Sequence, residues 1–285
     1  MKHNANRMFD VLSITLFAMS GFLLAQGTVA AWQSTAPTAA ASQVPARVAP
    51  NTSSLNWSGY VAQGGSYTSV AGSWVVPRVD ASNTAMLAAD ATWVGIGGVS
   101  ELNLIQAGTQ AILDGEGDIV YQPWLETIPG NSYVIPIDVH SGDSITTSIV
   151  EQRPSHWLIS LRDNTTGQSY QTTLTHDSSL SSAEWIEEMP SSAGGNFFIP
   201  LDEFGEVPFT GGSTVDNGNP QTIAQSGAQP LTMTSLQGEE LATTSVLSAD
   251  GGGFVVTRSG AQAQMALGRR HSHTYTFYFT PRVSR

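Results

Sequence analysis

From Leu55 onward, short runs of β-branched and aromatic residues alternate with clusters of Gly, Asn, Asp, Ser and Pro, a rhythm that predicts strand after strand. The expected strands are Trp57–Ala62, Ser69–Val76, Ala91–Ile96, Leu102–Ile112, Val120–Glu126, Tyr133–Val139, Ser144–Glu151, His156–Arg162, Ser169–Thr175, Ala183–Glu188, Gly253–Thr257 and His273–Phe279. Asn164-Thr165-Thr166-Gly167 reads as a hairpin turn in which Gly167 takes the positive φ that closes it. No stretch beyond the leader keeps a long amphipathic helical period. The expectation is therefore an all-β protein, with two antiparallel sheets packed face to face. Phe204 to Gln229, rich in Gly and Pro, reads as an ordered loop excursion, and no internal repeat is visible.

The beginning of the chain follows another pattern. Lys2 and Arg7 precede an almost wholly apolar run, Val11 to Ala25, which is short for a bilayer span of about 20 residues. Thr28, Ala30 and Ala31 then supply the small side chains of a cleavage site. Residues 1–31 are thus expected to be a signal peptide. Residues 32–54, rich in Ala, Ser, Thr, Pro and Gln, are expected to be a linker or short pro-segment, and residues 55–285 the folded domain.

Composition narrows the setting. The chain has no cysteine, which excludes disulfides, thiolate metal sites and a cysteine nucleophile. Export without disulfides fits a bacterial product. The one lysine, Lys2, leaves with the leader, and the whole chain carries a net charge of −12. Phosphate binding needs clustered Lys and Arg, and the densest basic spot is Arg269-Arg270, so nucleic acid is not an expected partner. With no Lys–carboxylate pairs to break, the mature protein is expected to tolerate acid, to be a monomer, and to have no membrane attachment once the leader is gone.

Several catalysts are excluded by spacing: the chain holds no Gly-x-Ser-x-Gly elbow, no His-Glu-x-x-His and no Walker phosphate loop. His271 and His273 share a face of the last expected strand and are read as solvated rather than metal-ligating, so neither metal nor cofactor is expected. Trp57, Trp74, Trp93, Trp124 and Trp185 are expected mostly in the core. In Ser182–Glu188, strand alternation puts Glu184, Ile186 and Glu188 on one face and Ala183, Trp185 and Glu187 on the other. Two carboxylates beside an apolar residue raise at least one pKa, as acid–base work requires.

Asn56–Val61 (NWSGYV), Gly72–Pro77 (GSWVVP), Thr92–Gly98 (TWVGIGG), Leu104–Gly108 (LIQAG), Pro123–Pro129 (PWLETIP) and Ala183–Glu188 (AEWIEE) occur in an order that resembles the glutamic peptidases, the eqolisin family, with this chain a bacterial-type member. The likeness runs from Leu55 to about Phe209; beyond that the match is only in being strand-like. It implies a concanavalin- or legume-lectin-like β-sandwich and a secreted acid endopeptidase acting on proteins or peptides, insensitive to pepstatin. It also implies that Gln106 and Glu188 are the catalytic pair, and that Trp57, Trp124 and Glu126 line the substrate groove or orient that pair. On this reading an ionised Glu188, with a pKa of about 4, takes a proton from water, Gln106 steadies the oxyanion, and the proton returns to the leaving nitrogen. Gly97 stands where fungal members carry Asp, and Gln110 replaces another acid. Two other readings use the same sandwich: a glycoside hydrolase with Glu126 and Glu188 as its carboxyl pair, and a non-catalytic lectin-like binding module.

Overall fold

The computed structural model describes residues 52–83, 87–99, 103–114, 116–191 and 198–260. Its strands are, in order, β1 (Thr52–Ser54), β2 (Trp57–Gln63), β3 (Tyr67–Val75), β4 (Ala88–Ile96), β5 (Ile105–Leu113), β6 (Ile119–Thr127), β7 (Tyr133–Val134), β8 (Ser144–Arg153), β9 (His156–Asp163), β10 (Ser169–Thr175), β11 (Ser182–Glu188), β12 (Glu206–Asp216), β13 (Asn219–Thr222), β14 (Gln229–Thr234), β15 (Glu240–Thr244) and β16 (Phe254–Arg258). The helical content among the described residues is one 3₁₀ turn, Ala81–Asn83. The expected leader and His273–Phe279 lie outside the described residues, and β1 precedes the expected domain start at Leu55.

The strands form one hydrogen-bonded ladder in the order β10-β9-β8-β3-β12-β16-β15-β14-β2-β11-β4-β5-β6-β7. Where two separate sheets were expected, β12, β16, β15 and β14 carry the pairing from one half to the other. The halves meet through side chains. Trp74 on β3 donates Nε1–H to Thr109 Oγ1 on β5 at 2.9 Å, and Trp185 on β11 donates to the Ala71 carbonyl on β3 at 2.8 Å, although neither strand pair is adjacent in the ladder. Val70, Ile145, Ile149 and Trp157 from one half and Val94, Ile96, Ala107 and Trp185 from the other share this core. By area, each buried indole contributes roughly 4–6 kcal/mol before entropy is counted.

Strand boundaries follow local chemistry. The hairpin turn expected at residues 164–167 is present: Gly167 has φ 81° and donates its N–H to the Asp163 carbonyl at 2.9 Å. The Asp163 carboxylate accepts from the Thr165 N–H and from the Thr166 N–H and hydroxyl. These bonds outweigh burial and hold its pKa below the usual value. The expected Tyr133–Val139 strand shortens to β7 because Pro136 cannot donate to a ladder.

Phe204–Gln229 is not a loop. It forms β12 and β13, and β12 bridges β3 and β16. A register shift between Thr210 and Ser213, at Gly211-Gly212, flips the alternation from Val207 and Phe209 inside to Gly212 and Thr214 inside. A strict period of two misses such a strand.

Candidate functional site

Every residue of β11 is buried, so both of its faces are covered. Cross-strand partners in an antiparallel ladder share a face, and the register sorts the candidates. Glu184 pairs with Gly95, Gly95 with Gln106, and Gln106 with Glu126, giving one row across β11, β4, β5 and β6. Ile186, Trp93, Gly108 and Trp124 form the next row, and Glu188, Ala91, Gln110 and Gln122 the third, with Trp57 on β2 opposite Glu188. All five residues expected at the site, Gln106, Glu188, Trp57, Trp124 and Glu126, therefore lie on one face. An apolar cluster of its own, including Trp57, Trp93, Trp124, Ile128, Ile186 and Leu231, surrounds them there.

Two bonded groups make up the polar part. Gln106 donates Nε2–H to Glu126 Oε2 at 2.8 Å. Glu188 accepts from Asn56 Nδ2 at 3.0 Å and from Trp93 Nε1 at 2.8 Å. No hydrogen bond joins Gln106 to Glu188 among the described residues; Glu126 links the groups, bonded to Gln106 and close enough for its charge to act on Glu188. Asn56 and Trp93 were not singled out by sequence as partners of Glu188. Both sit in the NWSGYV and TWVGIGG segments, but strand register, which sets who faces whom, is not written in either. The Trp57 and Trp93 rings meet edge to face at 5.1 Å, which fixes the indole that holds Glu188.

A close approach on this face depends on glycine. A Cβ on Gly59 of β2, whose φ is +146°, would lie 2.0 Å from the Trp185 carbonyl oxygen of β11. Only hydrogen fits there, and the tight contact brings β2 and β11 together behind Glu188.

Burial raises the Glu188 pKa well above the ordinary Glu value; the Trp93, Trp57 and Asn56 donors pull it down and Glu126 pushes it up again. Trp57 Nε1 faces this carboxyl outside hydrogen-bonding geometry. The expected pKa of about 4 does not hold in this geometry, because the carboxyl has left water. Glu184 is raised for the same reason. Gln106 Oε1, the indole nitrogens of Trp57 and Trp124, and both Glu184 oxygens are buried without hydrogen-bond partners. Buried polar atoms are rarely left so, and this face concentrates them.

No group of three or more His, Asp or Glu side chains is placed to hold a metal among the described residues, and His271 and His273 lie outside them. Gly97 takes φ 83°, and Gln110 donates Nε2–H to Gln122 Oε1 at 3.1 Å.

A sequence profile described as the Peptidase A4 family matches residues 55–258. Aspergillopepsin-2 of Aspergillus niger is 30% identical over 224 residues, covering 68% of this chain and 78% of that one. Scytalidopepsin B of Scytalidium lignicola is 28% identical over 202 residues, covering 67% and 74%. Among solved structures, scytalido-glutamic peptidase with a transition state analog inhibitor superposes with a TM-score of 0.61 at 24% identity, covering 72% of this chain and 98% of that one. Aspergilloglutamic peptidase from Aspergillus niger superposes at 0.54 with 27% identity, covering 60% and 99%.

Proposed function

This chain belongs to the Peptidase A4 family, the glutamic peptidases, and from that premise we propose that it is a secreted endopeptidase that cuts extended protein segments with Glu188 and Gln106. The observation that carries the reading is the arrangement on one buried face: a carboxyl held by two N–H donors, and an amide anchored by Glu126 with its carbonyl oxygen unpartnered. Hydrolysis of an amide needs a base, an oxyanion donor and an acid. Glu188 takes a proton from water as the water oxygen bonds to the scissile carbon. Gln106 Nε2 has a second N–H beyond the one given to Glu126, and it supports the developing oxyanion. Glu188 then passes its proton to the departing nitrogen, the C–N bond breaks, and both side chains return to their starting state.

The raised pKa of Glu188 bears on the working pH. It lowers the ionised fraction in acid but makes the ionised form a stronger base. The Asn56 and Trp93 donors oppose burial and keep a usable fraction of carboxylate. The optimum accordingly falls in mild acid.

The remaining parts of the reading are a signal peptide at 1–31, a linker or pro-segment from residue 32 that the enzyme removes itself ahead of Thr52–Ser54, which pair with β14 as β1, a monomeric state, and a concanavalin-like description of the two halves. A glycoside hydrolase would need Glu126 as its second carboxyl, but Glu126 Oε2 is committed to Gln106, and a lectin-like module leaves the Gln106–Glu126 pair without a purpose.

The deciding experiment incubates the secreted protein with a denatured substrate across acidic pH, beside Glu188→Gln and Gln106→Ala and with pepstatin present. Cleavage by the parent alone, unaffected by pepstatin, is expected. Equal cleavage by all three, or none by the parent, overturns the assignment.

A further inference from the structure

On the opposite face of β11 from Glu188 lies a second set of carboxyls that the proposed reaction does not use. Glu187 pairs with Thr92 in register, and its Oε2 accepts the Thr92 hydroxyl at 2.6 Å. Asp90, two residues before Thr92 on β4 and so on the same face, accepts the Ala111 N–H at 3.1 Å. Asp202 reaches them from residues 198–204, a strap pinned along β4 by a parallel bridge between Ala89 and Leu201 and by the Ala89 N–H to the Pro200 carbonyl at 2.9 Å. Leu201 and Phe204 of the strap sit in the main core.

All three carboxyls are essentially inaccessible. Asp90 Oδ2, Glu187 Oε1 and both Asp202 oxygens have no ordinary donor, yet the parallel pairing of Ala89 with Leu201 sets Asp90 and Asp202, the next residue of each segment, side by side. Two carboxyl groups can bond only if one carries a proton.

The charged groups facing the cluster do not neutralise it. Arg258 at the end of β16 gives its guanidinium to the backbone oxygens of Asp202, Leu241 and Ser259 and to Glu203 Oε1 at 3.1 Å. Glu203, from the strap, and Glu188, through the sheet, add further negative charge. On β4 and β5 the contacts are the Thr92 hydroxyl and the Ala111 N–H, neither of them charged. Full ionisation would place three buried carboxylates against one arginine already shared with a fourth.

We propose that Asp90, Glu187 and Asp202 are a proton-sharing clasp that fastens the 198–204 strap to β4 and β11 in acid and lets go as the medium approaches neutrality. Burial pushes Asp90 up to about 7, and raises Glu187 and Asp202 well above their ordinary values. Groups whose folded pKa is raised stabilise the fold fully below the unfolded value, and that contribution is lost as pH rises through the folded one. For Asp90 the loss runs from about 4 to about 7. Since Glu187 adjoins Glu188, opening the clasp also disorders the proposed base; that last step rests on the peptidase reading, whereas the clasp does not.

The test follows near-ultraviolet circular dichroism and tryptophan fluorescence of the full secreted protein as pH is raised, with Asp90→Asn, Asp202→Asn and the exposed control Glu239→Gln. The parent and control are expected to lose their native signal towards neutrality, and each Asn variant to hold it to a pH on the order of one unit higher. Unchanged midpoints in both variants overturn the proposal. If a variant does not fold, infrared spectroscopy of the parent at about pH 6, where exposed carboxyls are ionised, should show a protonated carboxyl band; its absence overturns the proposal too. A rise in the parent's upper midpoint on adding calcium, absent in Asp202→Asn, would identify a cation site instead and likewise overturn it.

Discussion

Glu187 and Glu188 are neighbours on one strand, equally buried, and their surroundings are opposite. Glu188 faces N–H donors, Asn56 and Trp93, with the Glu126 carboxylate on the same face. Glu187 faces a hydroxyl and the carboxyls of Asp90 and Asp202. Burial raises both pKa values, so burial alone does not separate the proposed base from the proposed clasp residue. Donor chemistry does. N–H groups favour the charged form and so keep a carboxylate available, whereas carboxyl neighbours favour the proton and make the group a fastening.

The sharpest test of that contrast is Glu188→Gln, which should lower kcat on a denatured substrate by about 10³-fold or more, with native circular dichroism retained. Gln106→Ala should follow at about 10²- to 10³-fold, the cost of one oxyanion donor; a change confined to KM would assign Gln106 to binding instead. Trp93→Phe keeps the ring and removes the N–H given to Glu188. The carboxyl pKa then rises further, less of it is ionised in acid, and the acid limb of the kcat/KM profile should move up by on the order of one pH unit. A stationary limb would separate Trp93 from the reacting group. Glu187→Gln should change kcat at the acidic optimum within about twofold while raising thermal stability near neutral pH, measured by calorimetry, by about 1 kcal/mol. A large loss of kcat from this variant would erase the distinction between the two faces.

Much of the candidate site was legible because a strand's period of two is rigid. Placing Glu184 and Glu188 on one face and Trp185 and Glu187 on the other required only Ser182–Glu188 to be extended, and it is. Gln106 and Glu126 came from short segments whose order carried the family likeness; the bond between them came only with the strand register. What escaped was long-range pairing. Asn56 lies 132 residues from Glu188, Trp93 lies 95, and Asp202 meets Asp90 through a strap with no periodic signature. β12 was hidden by its own Gly-Gly bulge, and with it went the continuity of the ladder. The ordinary pKa assigned to Glu188 failed because exposure cannot be judged before both faces of a strand are known to be covered.

That continuous ladder also decides where unpaired strand edges fall among the described residues. A sheet has two ends, and joining the halves through β12, β16, β15 and β14 leaves β7 and β10 at the ends of the main path. β7 is two residues long, and β10 turns Ser169, Gln171, Thr173 and Thr175 outward. Neither offers a long apolar edge on which another strand could template itself. In acid, where carboxylates lose charge and mutual repulsion between molecules weakens, short and polar edges give another strand little to pair with.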